Sequence, residues 1–131
     1  MSDAPELTEL QIAILRILWD RGESTVVEVH AALAERGLAP TTVATLLTRL
    51  VKRGVVARRV DGRVHRFRAR VSEPEVRRSM VAGLAARLFG GDVTEMVTHL
   101  LGGDGVGADD LERIKALVAR RERELREGTN E

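Results

Sequence analysis

Thr41, Thr42, Thr45, Thr48, Arg49, Lys52 and Arg53 recur along one side of a short segment. No histidine or carboxylate lies among them to activate a hydroxyl, so the set offers no nucleophilic chemistry. What it offers is hydrogen bonding. A threonine hydroxyl donates or accepts, its methyl can touch a thymine methyl, and Arg or Lys supplies charge to phosphates. A second group follows closely: Arg63, Arg66 and Arg68. Over residues 49–70 the cations are Arg49, Lys52, Arg53, Arg58, Arg59, Arg63, Arg66, Arg68 and Arg70, against the single acid Asp61. That local excess points to a polyanion as partner. The charge balance agrees: residues 1–70 hold 12 Lys/Arg and 8 Asp/Glu, whereas residues 71–131 hold 9 and 12.

Other chemistries find no residues to carry them. The 131-residue chain has no cysteine, which removes disulfides, thiolate metal sites and a cysteine nucleophile. His30, His65 and His99 have no metal-binding spacing, so no metal is expected. The run Gly102-Gly103-Asp104-Gly105-Val106-Gly107 lacks the Lys-Ser/Thr of a phosphate-binding loop and reads as a hinge. No catalytic constellation can be assembled, so the expectation is a binding protein without cofactor, not an enzyme. No run reaches ~18 apolar residues, as a membrane span requires, and Met1–Glu9 carries three acids and no base, unlike a leader. A cytoplasmic protein with no membrane insertion is expected.

The elements that must position these residues are legible from periodicity. Leu7, Leu10, Ile14, Ile17 and Leu18 mark a first helix, capped by Thr8 or an earlier residue and ended by Gly22. Thr25 and Glu28 form a capping box for a second, with Val26, Val29 and Leu33 as its stripe and Gly37 as its stop. Pro40 suits the first turn of a third. Val43, Leu46, Leu47, Leu50 and Val51 form its buried face, opposite the threonines and cations, and Gly54 ends it. The period then changes. Val55–Val60 and Arg63–Arg70 flank Asp61-Gly62, a strong hairpin signal because both residues tolerate the positive φ of a type I′ turn. That loop sets Val60 opposite Arg63, Arg58 opposite His65 and Val56 opposite Phe67. Val56 and Phe67 then share the core face, and Arg59, Val64, Arg66 and Arg68 the other. Three helices followed by a basic hairpin make a winged helix–turn–helix over residues 1–71. The fold class is mainly α. In the groove of a duplex the third helix would read bases and the hairpin would grip the backbone.

Residues 72–131 read as an all-α region for dimerisation. Ser72 and Glu75 box the start of a helix that runs to Phe89, carrying Val76, Met80, Leu84 and Leu88. Asp92 caps a short helix whose seam is Val93, Met96, Val97, Leu100 and Leu101. Asp109 with Glu112 is expected to cap a last helix bearing Leu111, Ile114, Leu117, Val118 and Leu125. Three short helices cannot bury so many aliphatic side chains among themselves. A homodimer supplies the missing surface.

The runs LTELQIAILRILWDRG, TVVEVHAALAERG, APTTVATLLTRLVKRGVV and DGRVHRFRARV resemble the penicillinase-repressor family of bacterial transcription regulators, which includes BlaI, MecI and a copper-responsive CopY branch. The resemblance runs from about Leu7 to Glu127. It implies a dimeric repressor on an inverted-repeat operator in double-stranded DNA. It places Thr41, Thr42, Ala44 and Thr45 at the base-reading positions; Ala44 departs from the long basic residue that many of these repressors carry there. The CopY mechanism needs cysteines, which this chain lacks. The penicillinase branch implies a membrane sensor-protease acting in trans, or a partner it activates, and cleavage in the helix before the last connector, which falls at Thr98, His99 and Leu100; known targets carry Asn-Phe where this chain has His99-Leu100. The alternative from a different class is a winged-helix protein-interaction module without specific DNA binding.

Overall fold

The computed structural model describes residues 6–129. Residues 1–5, part of the stretch Met1–Glu9 that is not expected to be a leader, lie outside them. The chain divides into two compact units, one ending at Leu84 and the other beginning at Ala85.

In the first unit, α1 (Glu9–Arg21) starts where Thr8 accepts a hydrogen bond from the Gln11 N–H at 3.1 Å and the Gln11 side chain accepts one from the Thr8 N–H at 3.0 Å. The reciprocal box recurs at α2 (Val26–Ala32). There Thr25 accepts from the Glu28 N–H at 3.2 Å, and Glu28 accepts from the Thr25 N–H at 2.8 Å. That backbone donor is the main reason the Glu28 carboxyl titrates below its ordinary value. Each cap contributes about 1 kcal/mol by satisfying N–H groups that have no partner inside the helix. A 3₁₀ turn, Ala34–Arg36, follows, and Gly37 takes the left-handed conformation (φ 64°) that turns the chain toward α3 (Pro40–Lys52). The His30 ring bridges the same turn, with Nε2 2.8 Å from the Leu38 carbonyl oxygen.

A three-stranded antiparallel sheet completes the unit, in the order β1 (Ser24–Thr25), β3 (Val64–Ala69), β2 (Val56–Asp61). The two-residue β1 escapes periodicity, which needs a longer run to register. The hairpin register differs from expectation. Asp61 pairs with Val64, Val60 with His65, Arg58 with Phe67 and Val56 with Ala69, so the loop is Gly62-Arg63 rather than Asp61-Gly62. Gly62 has φ 66° and Arg63 no positive φ, so the glycine occupies the first central position, as a type II′ turn requires. The shift is by two residues, so every side chain keeps its expected face. Val56 and Phe67 are both buried.

The core joins Ile14, Leu15 and Leu18 of α1, Val29 and Leu33 near α2, Val43, Leu47 and Leu50 of α3, and Val55, Val56 and Phe67 of the hairpin. Val76, early in α4 (Glu73–Phe89), joins it too. Trp19 ties the approach to α4 by donating its indole N–H to the Val71 carbonyl at 2.8 Å. The expected box at Ser72 and Glu75 is present, with bonds of 2.8 and 3.2 Å.

The second unit holds the end of α4, α5 (Val93–Leu101) and α6 (Ala108–Thr129). Asp92 caps α5 through the Glu95 N–H at 3.0 Å. The cap of α6 lies two residues earlier than expected. Gly107 precedes the helix and has no side chain to cap with, so the Asp110 carboxylate reaches back to the Gly107 N–H at 3.0 Å, and Asp109 lies inside the first turn. Among the described residues of this unit only Ala85 is buried.

Candidate nucleic-acid interface

α3 has one dry side and one wet one. Val43, Leu47 and Leu50 are fully buried. At about 100° per residue, Thr41, Thr42, Thr45, Thr48, Arg49 and Lys52 fall within a sector of roughly 120° on the opposite side. Thr41, Thr42, Thr45, Arg49 and Lys52 are exposed; Thr48 is half-buried. Ala44 lies at the flank of the sector and is half-buried, which makes it a marginal member of the face. The aliphatic side anchors the helix rigidly, so the threonine hydroxyls are presented by a fixed element rather than a loop.

The cations divide into two groups. Arg49, Lys52, Arg63 and Arg68 are exposed and form no side-chain hydrogen bond or ion pair with a described residue. Arg53 is engaged: it donates to the Glu6 carbonyl at 2.6 Å, with a longer contact of 3.4 Å to Gln11, and so clamps the end of α3 to the segment before α1. Arg66 donates to Asp61 at 3.1 Å. His65 is exposed beside these groups.

A further ion pair lies on the sheet. The Arg59 fork donates to Glu23 through Nε at 3.1 Å and Nη2 at 2.7 Å. That fork holds the Glu23 carboxyl below its ordinary range, helped by the charges of Arg59, Arg66 and Arg68, and raises Arg59 in turn. Strand parity places Arg59 on the face of Arg66 and Arg68; its partner, 36 residues away, has no local signal.

In the second unit the apolar residues of the expected pairing surface are open to water. Leu88, Val93, Val97, Leu100, Leu101, Leu111, Leu117 and Val118 are exposed, and Met96 and Ile114 half-buried; Leu84, the last residue of the first unit, is exposed as well. Thr98, His99 and Leu100 all lie exposed on α5, and the His99 ring sits 5.3 Å from that of Phe89. Among the described residues no group of His, Cys, Asp or Glu could hold a metal ion, and no helix is long and apolar enough to cross a membrane.

Comparison with known proteins adds the family. The family described as penicillinase repressor matches residues 7–120. The transcriptional regulator BlaI of Mycobacterium tuberculosis is 36% identical over 122 residues, covering 91% of this chain and 87% of that protein. The penicillinase repressor of Bacillus licheniformis is 20% identical over 119 residues, covering 90% and 93%. The solution structure of the DNA binding domain of the repressor BlaI superposes with a TM-score of 0.50 at 24% identity, covering 57% of this chain and 93% of that one. With a winged helix built from its first three helices and sheet, and relatives that span nearly its full length, the chain belongs to the penicillinase repressor family, whose members are transcriptional repressors and not enzymes.

Proposed function

We propose that this repressor binds an inverted-repeat operator as a homodimer, with α3 in the major groove and the β2–β3 wing on the backbone. Residues 1–71 contact the DNA and residues 72–131 pair the subunits. The observation that carries the reading is the wet face of α3. Thr41, Thr42 and Thr45 stand clear of the protein on a helix whose other side is fully buried, with Arg49 and Lys52 one to three turns on. Threonine is a mediocre helix former, so its concentration on an exposed helical face fits a task in base contact better than a solvated surface. Ala44 at the flank offers only a methyl, so the operator is read chiefly by the three threonines. Arg49, Lys52, Arg63 and Arg68 supply phosphate contacts, which orient the helix and carry no sequence information. Thr48, Arg53 and Arg66 are secondary: the first is half-buried, and the other two already have partners.

Substitution separates the roles. Thr42→Ala or Thr45→Ala is expected to cost about 1–3 kcal/mol on the operator and far less on random duplex. Arg49→Ala is expected to weaken both alike and to lower the dependence of log affinity on log salt by about 0.9 for each phosphate that is no longer neutralised. Titration of operator and random duplex across salt concentrations measures all three. If neither class of variant changes operator affinity, α3 is not in the groove. A protein-interaction module would instead retain no specific DNA and would co-purify with a stoichiometric protein.

Release of repression by a membrane sensor-protease acting in trans, through cleavage near Thr98, His99 and Leu100, is the regulatory part of the proposal. Its support is position: all three residues are exposed on a helix that ends at a glycine-rich connector. Induction of the regulated genes is expected to produce a fragment ending near residue 99, visible on a blot. Derepression with an intact chain overturns this part.

A further inference from the structure

We infer that Glu23 is a specificity-determining residue: it occupies the Arg59 guanidinium and braces the wing, so that DNA of arbitrary sequence recruits that cation less readily. The inference rests on the proposed DNA-binding mode. Its basis is the sheet order. β3 lies between β1 and β2, and Glu23 immediately precedes β1 while Arg59 is on β2. Two strand spacings, about 9.6 Å, separate those edges. The Arg59 side chain therefore crosses β3 to reach Glu23, and the double hydrogen bond of 3.1 and 2.7 Å links the outer strands over the middle one.

The crossing also settles a local repulsion. Arg59 is paired directly opposite Arg66, and like charges at that position destabilise an antiparallel sheet. Glu23 takes the first arginine and Asp61 the second. Glu23 comes from outside the hairpin, so its bond does more than neutralise charge: it fixes the wing to the turn that follows α1. A hairpin with Arg59 released would carry one more mobile cation and one tether fewer. The released cation favours indiscriminate phosphate binding, because phosphate contacts are blind to sequence.

The test measures affinity for operator and for random duplex against salt, using the full chain. Glu23→Gln keeps the side-chain shape, removes the charge and leaves a side chain already at the surface. Its affinity for random duplex is expected to rise several-fold, with a salt slope steeper by about 0.9 for each additional phosphate neutralised, and the operator-to-random ratio is expected to fall several-fold. Arg59→Gln should lower random-duplex affinity by less than Glu23→Gln raises it, because that cation is already occupied. Glu23→Gln combined with Arg59→Gln should cancel the several-fold gain, which isolates the pair. An unchanged ratio and slope in Glu23→Gln, or a gain that persists in the double variant, overturns the inference. A parent protein that retains neither duplex refutes the DNA-binding mode itself, a different result from a discriminating parent whose Glu23→Gln variant discriminates equally well.

Discussion

Replacing Leu47 with alanine is expected to destabilise the first unit by about 2–5 kcal/mol. Leu47 has no exposed surface, and it lies on α3 directly behind the threonine face. Truncation removes three carbons from a site enclosed by helices and sheet, and the lost transfer energy is compounded by the cavity left behind. A unit of this size has a total stability of only several kcal/mol, at about 0.05–0.15 kcal/mol per residue, so the loss is a large fraction of the whole. In urea the midpoint should fall while the slope stays constant. Operator affinity should fall only as the folded fraction falls, and excess operator should restore stability, because a ligand of the native state shifts the folding equilibrium. Leu46→Ala, half-buried on the same helix, should cost less. A change below about 1 kcal/mol for Leu47→Ala would mean that α3 is not seated through this residue.

How far such a site can be read from sequence depends on the range of the interaction. The threonine face of α3 is legible because a helix of 13 residues repeats its pattern several times and its dry side is uniformly aliphatic. The capping pairs Thr25–Glu28 and Ser72–Glu75 are legible because both partners lie three residues apart. The hairpin is legible as a hairpin, but its register is not. Asp61-Gly62 and Gly62-Arg63 are both workable two-residue loops, and the choice is made by Gly62 alone taking positive φ. Faces survive that ambiguity because the two registers differ by an even number of residues. The cap of α6 is misplaced for a related reason: with three acids, Asp109, Asp110 and Glu112, in four residues, spacing alone does not choose among them. Arg53 with Glu6 and Arg59 with Glu23 are beyond local reading, being set by how distant segments meet. Charge run alone treats all nine cations of residues 49–70 as equivalent; the structure separates those held by the protein from those open to a partner.

In the proposed mode, pairing should matter more to affinity than that separation does. In the proposed homodimer, Val118→Glu together with Leu100→Glu is expected to abolish assembly and to lower affinity for the full inverted repeat by about 10²–10⁴-fold, to that of a half-site, because the second half-site no longer benefits from effective concentration. The apolar residues of α6, Leu111, Ile114, Leu117, Val118 and Leu125, fall within roughly 120° of one another at about 100° per residue. Leu100 is 58% exposed and Val118 53% in the single chain. A carboxylate at either position therefore stays hydrated in the monomer, and glutamate is a better helix former than valine, so the folded subunit should survive the change. In a dimer the same carboxylate would be desolvated against an apolar partner, at a cost of several kcal/mol without a counter-ion. Pairing also sets geometry: two copies of α3 must sit about 34 Å apart to enter successive major grooves. Sedimentation should report the single-chain mass for the variant and twice that for the parent. Half-site affinity should be unchanged, and the salt slope on the full operator should fall by about half, since one subunit no longer touches phosphates. A variant that keeps the doubled mass and parental operator affinity would place the pairing surface away from α5 and α6. A parent that is single-copy even on the operator would end the homodimer reading while leaving the threonine face of α3 to be judged by its own substitutions.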